Sequence, residues 1–227
     1  MDEFNILTAA SMASRFVENS NKLKVVVGDL DKNEQDEEQE FDIASIHIHP
    51  MYGKLSVFDN DIAVVKLKPN KEAKGLRARG IKLQTSAAPA CIPSEMSTYS
   101  TDIKCTVGCF RTNHIERKNG TNNLFYRIEP RTMLSFSPPY IPLRTCIEPH
   151  VYGDDITSSM FCAGYLEGGR PEPCIGCGGG GYVCLENGVY QVRGIISWGQ
   201  GCGLPNKPTV YTNVSKFHDW ILEKMEA

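Results

Sequence analysis

Apolar residues follow the period of short strands in several stretches of the chain. Lys22 to Gly28 is rich in valine, and Phe41 to His49 alternates apolar with polar residues, as a strand with one buried face does. Tyr182 to Cys184 is a further short apolar stretch. The spacing changes near the end of the chain, because Val214 to Lys224 places its apolar residues three and four positions apart. The pattern predicts strands followed by a C-terminal helix.

Residues 174–181 form a glycine-rich loop with the sequence C-I-G-C-G-G-G-G. Glycine adopts positive φ and permits close approach, so such a loop is able to aim several backbone N–H groups at one point. A phosphate-binding loop is disfavoured, because no Lys-Ser or Lys-Thr pair follows the glycines and the next segment is strand-like. The segments on either side of the loop therefore decide what kind of site it forms.

The composition argues against two classes of partner. The chain has 227 residues, enough for one domain or two small ones, and 41% hydrophobic residues suffice for a packed core. A net charge of −3 without a basic run argues against a nucleic-acid partner. No apolar stretch approaches the ~18 residues of a membrane span.

Nine cysteines indicate folding in an oxidising compartment, and hence a secreted, extracellular protein. The glycosylation sequons at Asn119 and Asn213 fit this interpretation. Met1 to Phe4 has neither the basic head nor the apolar core of a signal peptide. We therefore expect further sequence upstream of Met1.

The segments that flank the glycine loop resemble a known family. Residues 160–169, 194–202 and 208–212, taken with the loop, resemble the C-terminal barrel of the chymotrypsin/trypsin-family (peptidase S1) serine proteases. The family's loop reads C-x-G-D-S-G-G-P, and Cys177-Gly178 stands here in place of its Asp-Ser pair.

The resemblance implies an all-β fold of two packed antiparallel Greek-key barrels with a C-terminal helix. It implies one domain over residues 1–227, in which the N-terminal barrel spans 1–85 and lacks its first strands. The C-terminal barrel then spans 86–213 and the helix 214–227.

Other residues occupy the positions of the family's catalytic triad. The segment before Ser11 resembles the strand that precedes the general-base histidine, and residues 59–67 match the motif that contains the aspartate, here Asp61. With Gly178 at the nucleophile position, the resemblance leaves no functional catalytic residue. The backbone amides of Gly176 and Gly178 would remain as an oxyanion hole. We expect Asp61 to accept a hydrogen bond from the Ser11 hydroxyl.

Cys177 is the nearby residue best suited to replace the nucleophile, since a thiolate attacks acyl groups well. In the family, however, this position points away from the cleft, and Cys177 has no histidine partner. His47 and His49 lie two residues apart on one strand face, but the family places these positions away from its cleft. A trypsin-like endopeptidase with residual activity is therefore an alternative to the main interpretation.

The specificity pocket of the family is altered as well. Glu172, between two prolines, stands for the acidic residue at the pocket base. Thr209 replaces a glycine of the pocket wall, and its β-branched side chain is expected to obstruct a long basic side chain. The other pocket-equivalent residues are Ser197, Trp198 and Gly199.

The resemblance also implies disulfides, which are Cys105–Cys184, Cys146–Cys162 and Cys174–Cys202. In relatives the segment at Cys109 lies beside the loop at Cys177, and both positions are cysteine here, so we expect a Cys109–Cys177 bond. Two unpaired buried thiols are the alternative. Cys91 is left free or tethered to upstream sequence, as in relatives with a propeptide or clip domain.

In trypsin-like relatives the loop that corresponds to residues 29–38 binds calcium. This loop is acidic, and Asp29, Asp31, Glu34 and Glu38 are able to supply hard oxygen ligands. An acidic loop that faces solvent is the alternative, and no other cofactor is expected.

Loss of both the Ser and the His, with the barrel cysteines kept, predicts a catalytically inactive homologue that acts by binding a protein. Residues 41–68 resemble group 3 trypsin-like allergens of mites, and the loss of triad residues resembles the inactivated protease paralogues of parasitic mites. That resemblance implies interference with host complement or another protease cascade. An arthropod protease homologue that serves as cofactor of an immune cascade is the alternative. We expect a monomer, with neither nucleic acid nor membrane as partner.

Overall fold

The computed structural model describes residues 4–34, 38–69, 80–82, 87–95, 103–111 and 131–226, with the backbone of 115–117 and 125–127. The sequon at Asn119 and the expected boundary between residues 85 and 86 lie outside the described residues.

The described part of the chain consists mainly of short strands. They are β1 (Asn5–Thr8), β2 (Lys24–Val27), β3 (Gln39–Ile48), β4 (Ala63–Leu67), β5 (Cys105–Cys109), β6 (Ile115–Arg117), β7 (Phe125–Arg127), β8 (Leu134–Phe136), β9 (Tyr140–Ile141), β10 (Met160–Ala163), β11 (Gly181–Glu186), β12 (Val189–Trp198) and β13 (Thr209–Asn213). The α-helices are α1 (Ala10–Ala13), α2 (Leu143–Cys146) and α3 (His218–Glu226). Segments of 3-10 helix cover Ser14–Lys22, Gly153–Asp155 and Val214–Phe217.

The strands form two main antiparallel sheets. The N-terminal sheet has the order β1-β4-β3-β2, and the C-terminal sheet has the order β8-β5-β11-β12-β13-β10-β9. A short pair, β6-β7, stands apart from both. The fold prediction is confirmed, because the molecule is mostly β, with two curled antiparallel half-barrels and a C-terminal helix.

The predicted elements occur close to their expected places. The valine-rich stretch forms β2 and the alternating stretch forms β3. The expected C-terminal helix is divided, because residues 214–217 are 3-10 helix and α3 continues from His218. The 3-10 turns over Ser14–Lys22 were not predicted, and no residue of this segment is buried.

Apolar side chains from both halves and from the C-terminal segment share one core. Ile62 and Val64 of the N-terminal half pack with Ile195 of β12, with Val214 of the 3-10 segment and with Ile221 of α3. All of these side chains are almost completely buried. The C-terminal helix therefore covers the junction of the two halves, and burial of its apolar face contributes to holding them together.

A buried carboxylate also joins the two halves. Asp59 precedes β4 and is 1% exposed. Its Oδ1 accepts hydrogen bonds from Thr157 Oγ1 at 2.6 Å and from Ser159 Oγ at 2.7 Å, both in the C-terminal half. Its Oδ2 accepts a bond from the side-chain amide of Asn60 at 2.6 Å. The carboxylate is therefore well supplied with donors, as a buried charge must be.

Four disulfides cross-link the C-terminal half. They are Cys105–Cys184, Cys109–Cys177, Cys146–Cys162 and Cys174–Cys202, the same pairs that were expected. Within the described residues Cys91 is the free cysteine, and it is exposed.

The described part of the chain contains no helix that is both long and apolar enough to cross a membrane.

Candidate functional site

Ser11 and Asp61 meet in the cleft between the two halves. Strand β1 runs into the short helix α1, and the buried Ala9 and Ala10 fix the position of Ser11 at the start of that helix. The Ser11 amide donates to Asp61 Oδ1 at 2.7 Å, and the Ser11 hydroxyl donates to Oδ2 at 2.8 Å. The expected bond between these residues is thus present, and it is joined by a second one from the backbone.

Ser197 belongs to the same cluster. Its hydroxyl donates to Asp61 Oδ2 at 2.5 Å, so the side chain of this pocket-equivalent residue also supports the Asp61 carboxylate. The physical reason is a β-bulge: the pairing of β12 with β13 shifts register between Ile196 and Trp198, at Ser197 itself. Sequence patterns do not reveal where a bulge re-aims a side chain.

Burial decides the protonation behaviour of Asp61. The residue is completely buried, and this burial raises the pKa of its carboxyl above the usual range. Hydrogen bonds from Ser197, Ser11 and the Ala10 amide favour the charged form and offset part of that rise in pKa. The cluster contains hydroxyls and amides but no base, so the Asp61 carboxylate has no imidazolium to stabilise.

Several amides of the glycine loop donate to carbonyl groups of the protein. Cys177 N donates to Cys174 O at 2.9 Å, and Gly179 N donates to Ile196 O at 2.9 Å. The amides of Gly176 and Gly178, the expected oxyanion hole, have no hydrogen-bond acceptor among the described residues. The loop thus keeps two free backbone donors although position 178 lacks a nucleophile.

Met12 lies directly against the loop at Gly178. A Cβ added to Gly178 would be 2.9 Å from Met12 Sδ and 3.4 Å from Met12 Cγ. The place of a nucleophilic side chain is therefore already occupied. Sequence reasoning assigned Met12 no role.

Cys177 is bonded and is not a free thiol. Its disulfide to Cys109 joins β5 to the glycine loop, with the two Cα atoms 5.1 Å apart. Both cysteines are buried in the core of the C-terminal sheet. A disulfide sulfur cannot attack an acyl group as a thiolate does, so Cys177 does not replace the missing serine.

Glu172 is turned into the protein at the base of the expected pocket. The side chain is 4% exposed, and its Oε1 accepts a bond from the Gly203 amide at 2.6 Å. Burial raises the pKa of the Glu172 carboxyl, while the Gly203 amide and the charge of Arg111 act in the opposite direction. Thr209 is buried as well, at 7% exposure. Little of either side chain is presented to a ligand.

Trp198 stands in an aromatic group and not on an open wall. Its ring stacks on Phe58 at 6.1 Å between centroids and meets Tyr152 edge-on at 4.8 Å. Burial raises the pKa of Tyr152 to about 12, and the Tyr152 hydroxyl donates to Pro208 O at 2.7 Å. Gly199 follows Trp198 at the end of β12.

Neither strand histidine replaces the missing base. His47 shares a hydrogen bond with Ser45 at 2.9 Å, on the strand that carries both. His49 packs edge-on against Phe217 at 5.0 Å and Trp220 at 4.9 Å, beside the C-terminal helix. In the described part of the chain neither ring is bonded to Asp61.

The acidic loop is partly engaged with itself. Asp31 accepts bonds from the amide of Asn33 at 3.0 Å and from its side chain at 2.9 Å, and these bonds lower the pKa of the Asp31 carboxyl. Among the described residues, which exclude 35–37 of this loop, no three acidic, His or Cys side chains form a metal-binding group. Calcium binding by Asp29, Asp31, Glu34 and Glu38 stays a prediction.

The chain is similar in sequence to several known proteins. A profile of the trypsin family matches residues 1–221. The chain is 34% identical over 187 residues to the hepatocyte growth factor activator serine protease of Canis lupus familiaris, covering 82% of this chain and 26% of that protein. It is 34% identical over 209 residues to coagulation factor XII of Rattus norvegicus, covering 89% and 32%.

A shorter relative is matched over more of its length. The chain is 33% identical over 208 residues to serine protease 1 of Rattus norvegicus, covering 91% of this chain and 73% of that protein. By contrast, it spans 26% and 32% of the first two relatives, so the similarity reaches only part of those longer proteins.

Proposed function

The chain belongs to the trypsin family of serine proteases. We propose that it is a non-catalytic member of this family that acts by binding another protein. Among its relatives, the ones named above are described as proteases or as a coagulation factor. The proposal concerns how this chain uses the same fold.

The observation that carries the proposal is the hydrogen bond from Ser11 to Asp61, together with the glycine at the nucleophile position 178. Acyl transfer needs a nucleophile and a base that takes its proton. The Ser11 hydroxyl donates a hydrogen bond to Asp61, and Gly178 has no side chain. A hydroxyl near neutral pH does not accept a proton from another hydroxyl, so neither half of the catalytic step has a group to perform it.

The remaining elements do not make up this loss. The free amides of Gly176 and Gly178 would stabilise an oxyanion, but the oxyanion forms only after a nucleophile has attacked. Cys177 is held in its bond to Cys109. Glu172 and Thr209 are buried, so a substrate side chain finds no open acidic pocket base.

We expect the folded protein to cleave chromogenic peptide substrates about 10⁶-fold more slowly than trypsin does, the loss seen when a triad residue is removed. Labelling with a fluorophosphonate probe should leave the protein unmodified. Ser11→Ala is the matched variant, since it removes the one hydroxyl at the triad positions and should change neither readout. Turnover that disappears in Ser11→Ala would show that this serine is catalytic and would overturn the proposal.

The proposed partner is a protein of an extracellular protease cascade, and the chain is proposed to be secreted. Four disulfides support an oxidising compartment. The kinship with proteins named coagulation factor and growth factor activator supports a cascade. Interference with host complement and cofactor action in an arthropod immune cascade are the two forms of this proposal.

The two forms predict opposite effects on the cascade concerned, and one experiment with two assays distinguishes them. Purified protein is added to plasma in a complement assay and to arthropod haemolymph in a phenoloxidase assay. Interference predicts a dose-dependent fall in complement activity, whereas a cofactor predicts a rise in phenoloxidase activity. Protein reduced and alkylated at its cysteines is the control and should have no effect. An unchanged signal in both assays would contradict a role in either cascade.

A further inference from the structure

We infer that Met12 is a built-in occupant of the cleft, matched to the glycine at position 178, so that the chain closes its own former nucleophile position. The inference deepens the proposed function, since it names a side chain that keeps the cleft from working. It rests on the packing of the two residues and not on any measurement of activity.

Backbone conformation explains two neighbouring glycines but not Gly178. Gly176 has φ of +95° and Gly179 has φ of +83°, values that favour glycine. Gly178 is not among the residues with positive φ, so its backbone accepts an L-residue without strain. The cause for a glycine at position 178 therefore lies in its surroundings and not in its own backbone.

That cause is the Met12 side chain. An added Cβ would stand 2.9 Å from Met12 Sδ, closer than real Cβ contacts, and 3.4 Å from both Cγ and Cε. All three of the nearest atoms belong to Met12, and none belongs to the backbone. Met12 lies on α1 immediately after Ser11, so one short helix supplies both the residue at the base position and the residue that covers the loop.

Met12 is held where it is by both of its surfaces. Its inner side packs on the core shared by the two halves, which includes Ala9, Ile195 and Phe217. On the outer side, Arg15 Nη2 lies 3.9 Å from Met12 Sδ. A thioether adapts its shape readily, so it fills this space closely.

Any side chain at position 178, serine included, then competes with Met12 for the same volume. A ligand that needs this volume must first displace Met12.

The test is a double-mutant cycle in thermal unfolding. Gly178→Ala should lower the Tm by ~2–4 °C in the wild-type background, because the flexible Met12 side chain has to move away from the added methyl group. In the Met12→Ala background the same change should alter the Tm by less than ~1 °C, because the obstructing atoms are gone. Gly199→Ala is the control, since its Cβ would meet no atom closer than 3.9 Å. It should be equally tolerated in both backgrounds.

A second measurement reports on Met12 directly. The methyl resonance of Met12 in ¹³C-methionine-labelled protein should shift strongly in Gly178→Ala and stay unchanged in Gly199→Ala. An equal fall in Tm in both backgrounds, or an unmoved Met12 methyl, would overturn the inference. Either result is independent of peptide turnover, so failure here is distinguishable from failure of the proposed function.

Discussion

Asp61→Ala is expected to lower the free energy of unfolding by about 2–4 kcal/mol. The carboxylate is completely buried and accepts three hydrogen bonds from Ser11 and Ser197. Its removal leaves the buried Ser197 hydroxyl without an acceptor, which costs about 1–3 kcal/mol, and removes the acceptor of the half-buried Ser11 donors, which costs less because water reaches them. Urea unfolding followed by tryptophan fluorescence measures the loss. Asp219→Ala is the matched control, because that carboxylate is 84% exposed and should contribute little.

The pH dependence gives the sign of the electrostatic contribution. Because burial raises the pKa of folded Asp61 above its unfolded value, the folded state binds the proton more tightly. The penalty for burying the charge is present at neutral pH and disappears as the pH falls through the folded pKa toward about 4. The stability of wild type relative to Asp61→Asn should therefore rise as the pH is lowered from 7 to 4. A relative stability that falls over this range would contradict the assignment.

Removal of the Cys109–Cys177 bond, by changing both cysteines to serine, is expected to cost about 2–4 kcal/mol. The bond spans a sequence separation of 68 residues, so its loss frees a long stretch of the unfolded chain. In the folded state, the loss of this bond also releases the glycine loop from β5. Hydrogen exchange of residues 174–181 should accelerate, because the loop then opens locally with less free energy.

The Cys146→Ser/Cys162→Ser pair is the control for the location of this effect. Its bond also crosses the C-terminal half, but it joins α2 to β10 and does not touch the glycine loop. The control pair should lower stability and leave exchange in 174–181 nearly unchanged. Equal acceleration in both variants would show that global stability, and not the local cross-link, governs the loop.

Much of the fold was predictable because it depends on local patterns and on motifs. Strands β2 and β3 follow directly from their valine content and alternation, and the disulfide pairs follow from the family's cysteine positions and two paired replacements. The hydrogen bond between Ser11 and Asp61 was predictable for a physical reason. A buried carboxylate needs a donor, and Ser11 stood at the position opposite.

The parts that were missed depend on three-dimensional contact between distant residues. The hydrogen bond from Ser197 to Asp61 was not predicted, because a bulge that turns this hydroxyl to Asp61 leaves no mark in the sequence. Met12 was overlooked because its partner, Gly178, is 166 positions away in a chain without any motif that links them. The bonds of Asp59 to Thr157 and Ser159 likewise cross from one half to the other.

The hydrogen bonds between the two halves affect how such a protein tolerates mutation. Asp59 accepts hydrogen bonds from Thr157 and Ser159. Thr212 Oγ1 donates to the backbone carbonyl oxygen of Asp61 at 2.8 Å, and every amino acid has such an oxygen. None of these groups takes part in breaking a peptide bond. Substitutions at positions 11 and 178 therefore leave these hydrogen bonds in place. The tolerance of the scaffold to mutation does not depend on which residues occupy the catalytic positions.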